Sequence, residues 1–227
     1  MKELTNLERI KEKFPEIAEQ IERIAKNPDT ISDINKFVIE ETKDGLVISH
    51  KEWSKSKCII KDGVITADAG SLLGKVGDQN EFLNDLLPNK TYIVDGYTKY
   101  ITDSLSRVVL VISDRNKNII INHGKPYDKT QERVRKEGVE EDEAGHLISR
   151  ATGGANEKIN LVPMNRDINR QGKWRKMEEM EEKALKEGKT VFSKREPLYK
   201  GDSKRPYAIK TTTIIDGKKY TQVIKNP

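Results

Sequence analysis

Cysteine occurs once in this 227-residue chain, at Cys58, which excludes an internal disulfide and any zinc site built from several thiolates. A lone cysteine of this kind reads as a small buried apolar side chain. Aromatic residues make up only 6% and apolar residues 34%, against 35% charged, so the core is modest and the surface densely charged. No apolar stretch approaches the roughly 18 residues that cross a bilayer. The opening MKELTNLERIKEKF lacks the apolar core of a signal peptide, so a route that needs one is not expected. There is no GxSxG elbow, and Gly70 to Lys75 lacks the GK[ST] ending of a phosphate loop.

Periodic apolar segments do recur, and they describe a folded α+β chain. Leu4, Leu7, Ile10, Phe14, Ile17, Ile21 and Ile24 fall at helical steps, with Pro15 splitting or bending the helix. Ile31 to Ile39 predicts a short helix or a passage from helix to strand. From Gly45 the period shortens to that of strands: GLVISH, KCIIK and GVITAD, then a hairpin about Asp95-Gly96, then SRVVLVISD, with NKNIIINH continuing it. Asp62-Gly63 and Asp216-Gly217 predict two further hairpin turns. NEFLNDLL predicts a helical turn, and residues 127–142 a loop or short helix. Trp174, Met177, Met180 and Ala184 share one face of a helix that ends at Gly188, with Trp174 as its core anchor.

Charge divides the chain. Residues 1–90 carry 14 basic and 17 acidic side chains, whereas residues 91–227 carry 28 and 20. This suggests two parts: an N-terminal helical and short-strand region, 1–88, serving as a linker or partner-binding surface, and a basic domain, 89–227. The basic side chains near the C-terminus, among them Lys194, Arg195, Lys204, Arg205, Lys210 and Lys218, read as spread over both strand faces and the turns. A basic half suits a polyanionic substrate.

Chemistry concentrates between Asp142 and Glu178. His146 can act as a general base near neutral pH if its ring is fixed and one nitrogen stays free. Gly153-Gly154 permits a sharp reversal that folds a following asparagine back towards the histidine. Asn160 lies fourteen residues after His146, and Asn169 nine further on. An amide oxygen is a neutral, hard ligand suited to Mg²⁺, which keeps several of its own waters. Base, turn and ligand together make a minimal site for hydrolysing a phosphodiester. Asp142 and Glu143, being adjacent, point apart and read as surface charge. His50 and His123 have no companions at ligand spacing.

The pattern AGHLI…GG…NLVP…NR…W…ME resembles the DNA/RNA non-specific endonucleases of the ββα-metal superfamily, and within them the branch found in bacterial polymorphic toxins. The resemblance covers Asn89 to the C-terminus. It departs at Ala144, where the secreted members carry Arg, at Met164, where Gln is usual, and by one extra residue between Asn169 and Trp174. It implies a ββα-metal core on an antiparallel sheet, with His146 as general base, Asn169 as metal ligand for Mg²⁺ or Mn²⁺, and Glu178 touching metal-bound waters. Asn160 would tie the loop together and orient the histidine. Arg150, Arg166, Arg170, Lys173, Lys204 and Arg205 are the candidate contacts to nucleic acid, DNA or RNA. The implied function is a secreted antibacterial toxin, type VII secretion being one route, that cleaves nucleic acid in a target cell's cytoplasm. A cognate immunity protein would restrain it in the producer. A binding module without catalysis would share the basic half but has no need of both His146 and Asn169. A helical interaction protein would place its function in residues 1–27.

Overall fold

The structure, a computed structural model, describes residues 6–70, 77–119 and 128–227. The helical stripe splits at the proline, as its sequence requires, into α1 (Asn6–Lys13) and α2 (Pro15–Lys26). Pro15 occupies the first turn of α2, where a missing N–H leaves nothing unsatisfied. A single 3₁₀ turn, Ile34–Lys36, then leads into β1 (Phe37–Thr42). Next come β2 (Gly45–His50), β3 (Lys57–Lys61) and β4 (Val64–Ala67). The NEFLNDLL segment forms a 3₁₀ turn at Glu81–Leu83. It precedes β5 (Thr91–Val94), β6 (Thr98–Thr102) and β7 (Val108–Arg115). Of the predicted continuation of β7 through NKNIIINH, residues 116–119 form a turn instead of strand, and residues 120–123, His123 among them, lie outside the described residues.

Helix α3 (Asp128–Lys136) leads to a strand pair, β8 (Asp142–His146) and β9 (Leu161–Asn165). After it come α4 (Arg166–Gln171) and α5 (Lys173–Lys186), then β10 (Val191–Leu198), β11 (Ala208–Ile215) and β12 (Lys218–Lys225). Ten strands form one sheet in the order β1-β2-β3-β4-β5-β6-β7-β10-β11-β12, and β8-β9 stand apart as an antiparallel ribbon. All ladders of the large sheet are antiparallel except β4 with β5. The α+β class with a largely antiparallel sheet is therefore the one the sequence pattern describes.

The three Asp-Gly turns are hairpin turns. Asp62, Asp95 and Asp216 have φ of 51°, 55° and 46°, and their glycines follow at 77°, 75° and 79°. Two consecutive positive-φ residues match the right-handed twist of the flanking strands. On the inner face, Tyr92 and Tyr100 sit directly opposite each other and are both fully buried. Helix α2 lays Ile17, Ile21 and Ile24 into the same core cluster that holds Tyr92, Leu147 and Trp174. Each such buried side chain is worth about 1.5–3 kcal/mol. Sheet and core thus run across residue 88 without a break, through the β4–β5 pairing.

Candidate active site

The ribbon sets the site. Glu143 pairs with Met164, Gly145 with Val162 and His146 with Leu161. Gly145 is required there, because a Cβ would lie 2.7 Å from the Cβ of Met164. From His146 the chain leaves the ribbon into the loop 147–160 and returns. Asn160, fully buried, closes this loop from the inside: its Oδ1 accepts from the Ile148 N–H at 2.9 Å, and its Nδ2 donates to the carbonyls of Ile148 at 2.8 Å and Ala155 at 2.9 Å. Gly154 packs so tightly under this clamp that a Cβ would sit 1.8 Å from the Ile148 carbonyl oxygen.

The ring of His146 is held by a residue the sequence reading passed over. His146 Nε2 lies 2.7 Å from Oδ1 of Asn156, two residues beyond the glycine pair. The backbone is pinned too, since Trp174 Nε1 donates to the His146 carbonyl at 3.2 Å. Burial pushes the imidazole down to about 4; the Asn156 hydrogen bond works against this and the charge of Arg150 adds to it. The ring is neutral at pH 7, as a base awaiting a proton must be. Asn160 does not touch the ring, so its part is to hold the loop.

Helix α4 follows β9 directly. Its N-cap is Asn165, whose Oδ1 accepts from the N–H groups of Asp167 and Ile168. Asn169 therefore caps nothing and projects from the helix body. Its Nδ2 donates to Glu143 Oε2 at 3.0 Å, and the other carboxylate oxygen of Glu143 pairs with Arg170. A carboxylate only accepts, so Glu143 fixes which end of the Asn169 amide faces it and leaves the carbonyl oxygen free. Burial raises the Glu143 carboxyl, but Arg170, Asn169 and Arg166 together hold it below its ordinary value. Glu143 is thus no plain surface charge. It was missed because its partner stands 26 residues away, on another element.

Asp142 also departs from the surface reading. It is buried, and Arg205 grips it through Nε at 2.6 Å and Nη2 at 2.9 Å. That guanidinium also donates to the carbonyls of Asn226 and Pro227, tying the C-terminus to the ribbon. Lys204 pairs with Glu137 at 3.2 Å. Arg166 and Lys173 are exposed, and Arg170 is exposed while paired with Glu143. Arg150 lines a cavity of about 580 Å³ together with Asn156, Tyr97, Asp114 and Asn116.

Glu178 is 8% exposed and stands by the Trp174 indole. Burial pushes its carboxyl up to about 7, with Arg175 opposing and Glu181 assisting. The folded state then keeps a proton that the unfolded chain has released between about pH 4.5 and 7. This contribution to stability is complete below that window and is lost as pH rises through 7. Glu178→Gln is therefore expected to be more stable than the parent at pH 8, by up to about 3 kcal/mol, and no more stable at pH 4. Urea melts at the two pH values check this. A less stable variant at pH 8 would show that the carboxylate is instead held as an ion.

The site is thus an antiparallel strand pair ending in a fixed histidine, followed by a helix that offers an asparagine oxygen. Residues 88–217 match the family model for DNA/RNA non-specific endonuclease, and the chain belongs to that family. It is an enzyme of the endonuclease class. Over 133 residues it is 33% identical to the type VII secretion system protein EssD of Staphylococcus aureus, strains USA300 and NCTC 8325. That match takes in 56% of this chain but only 21% of the length of EssD. Among solved structures, NucA of Streptococcus agalactiae with a magnesium ion bound is 13% identical, with a TM-score of 0.47 over 93% of this chain and 90% of its own. The Sda1 nuclease with a bound zinc ion is 14% identical, at 0.43 over 57% and 76%.

Proposed function

We propose that the chain hydrolyses phosphodiester bonds in nucleic acid, DNA or RNA, without sequence preference and with a divalent ion, Mg²⁺ or Mn²⁺. One observation carries this reading: the His146 ring is held by Nε2 on Asn156, so Nδ1 is the nitrogen left to take a proton from water. The donor set fits an ion of that kind. Among the described residues no group of three or more His, Cys, Asp or Glu side chains could hold a metal, so the ion would rest on the Asn169 oxygen and its own waters. Bound there, it would supply charge stabilisation at the phosphate and the leaving oxygen. Glu143 orients Asn169, and Glu178 would accept hydrogen bonds from waters of the ion. Arg150, Arg166 and Lys173 are proposed to meet phosphates, Arg150 or a neighbour serving where the family has an arginine in place of Ala144. Lys204 and Arg205 were candidates for the same task. Their pairing with Glu137 and Asp142 makes them better suited to holding the fold.

The EssD likeness supports the further proposal that this is the nuclease part of a type VII-secreted antibacterial toxin. Its action would be in the cytoplasm of a target cell, with an immunity protein restraining it in the producer. Residues 89–227 would carry the nuclease, and residues 1–88 would link or bind partners. Among the described residues no helix is long and apolar enough to cross a membrane. The test is cleavage of plasmid DNA and of RNA with and without chelator. Exhaustive chelation should abolish cleavage and added Mg²⁺ should restore it. Asn169→Ala should lose activity or demand far more metal, while its melting point stays near the parent's, because the side chain neither caps a helix nor fills the core. Full cleavage after chelation would overturn the metal assignment.

A further inference from the structure

Asn156 is held in turn by a part of the chain that precedes the stretch matched to the family. Its carbonyl accepts from Nε2 of Gln79 at 3.3 Å. The next residue, Glu157, accepts through one oxygen from the N–H groups of Gly70 at 2.6 Å and Asn80 at 2.9 Å. The N–H of Lys158 then donates to Oδ1 of Asn84 at 2.9 Å. Three consecutive residues of the loop that carries Asn156 are therefore fastened to Gly70 and to residues 79–84. Gln79 is itself oriented, since its Oε1 accepts from Asn84 Nδ2 at 2.9 Å and from Thr130 Oγ1 at 2.7 Å. Gln79, Asn80, Asn84, Asn156 and Glu157 are all buried, so water offers no alternative partners.

We infer that Asn156 is a positioning residue for His146, and that Gln79, Asn80 and Asn84 form the brace that holds it. The first 88 residues therefore complete the catalytic site instead of only linking it to something else. The chemistry follows from the amide's two ends. With Oδ1 towards Nε2, the histidine must carry its proton on Nε2, and Nδ1 is left as a lone pair. With Nδ2 towards Nε2 the proton would move to Nδ1, and no base would remain. The inference rests on the reading of His146 as the base, and it adds what makes the ring competent for that role. A histidine whose second nitrogen is fixed keeps one tautomer and one orientation, and losing such a partner typically lowers activity about 10–100-fold.

The experiment compares full-length parent with Asn156→Ala, Asn156→Asp and Gln79→Met. The methionine keeps the length of glutamine but donates nothing. Imidazole ¹⁵N–¹H spectra are simple because the chain has three histidines, and a His146→Ala sample assigns the signal. A slowly exchanging Nε2–H at His146 is expected in the parent and in Asn156→Asp, which still accepts. It should be lost in Asn156→Ala at a near-parental melting point, and exchange faster in Gln79→Met well below that variant's own melting point, which should fall because Asn84 Nδ2 and Thr130 Oγ1 lose their acceptor. In cleavage, Asn156→Ala should lower kcat about 10–100-fold with KM nearly unchanged, and Asn156→Asp should recover most of it. A proton on Nδ1 in the parent overturns the inference, as does an unaltered His146 signal in both Asn156→Ala and Gln79→Met. If the parent fails to cleave, the functional reading falls, and the spectra still decide whether Asn156 and Gln79 position the ring.

Discussion

His146→Ala is expected to bind nucleic acid about as tightly as the parent and to cleave it about 10²–10⁴-fold more slowly, the usual contribution of a positioned general base. The imidazole is the only part removed. Asn169 and Glu143, proposed above to hold the ion, lie on a different hydrogen-bond set from His146, and the exposed cations Arg166 and Lys173 stand on or beside α4. Folding should survive for two reasons. The backbone of residue 146 keeps its bond from Trp174, and it keeps its place opposite Leu161 in the ribbon. A structural histidine predicts the reverse pattern, with a lowered melting point and activity falling only as the folded fraction falls. Measuring melting, binding and cleavage on one purified sample separates the two. If the protein is a toxin, cells lacking an immunity protein should tolerate this variant and not the parent.

What the sequence made legible was local. Asp-Gly pairs between alternating runs foretell turns with two positive φ values, and Pro15 foretells a break, because those residues determine backbone geometry by themselves. His146, the glycine pair, Asn160 and Asn169 could be found because their spacing is short and their chemistry unusual. Asn156 was not picked out, although it lies in the same stretch. An asparagine after two glycines reads as a turn former, and only the path of the loop brings it back to the ring. Glu143 was hidden for the same reason, its meaning coming from Asn169 across the ribbon. The brace from Gln79 and Asn80 had no signal at all, being contacts between segments some 77 residues apart.

Arg195 shows a signal that was present and missed. In β10, Val191, Ser193, Arg195 and Pro197 alternate inward, so the period of two places a guanidinium on the buried face of the strand. Spreading the basic residues of this region over both strand faces allowed for such a position without marking it, and Arg195 is 1% exposed. The inward alternation of Arg115 on β7 has the same form. A buried arginine needs a buried partner, and the helix α5 supplies it.

Glu181→Ala is expected to be the most destabilising single change in the domain, by about 3–5 kcal/mol at pH 7, because it strands two charges in the core. Its carboxylate meets Arg115 at 2.9 Å and Arg195 at 2.5 Å, and it accepts from Ser193 at 2.8 Å and Thr213 at 2.7 Å, with all five residues buried. Arg195 also lies over the Trp174 ring at 5.7 Å, and Arg115 donates to the carbonyl and hydroxyl of Thr152 beside the glycine pair. Removing the glutamate therefore loosens sheet, helix and site loop together. For a chain of this size the loss corresponds to a fall in melting temperature on the order of 10 °C. The pH dependence gives the charge away. Burial works against ionisation here, but the Arg195 and Arg115 charges outweigh it and hold the carboxyl at about 2. A depressed pKa stabilises the fold above the unfolded value of about 4.5 and is lost as pH falls towards 2, so the gap between parent and variant should narrow across that window. Glu181→Gln, nearly the same shape without the charge, should recover only part of the loss. A glutamine variant as stable as the parent at pH 7 would show that the site needs hydrogen bonds there and not a negative charge.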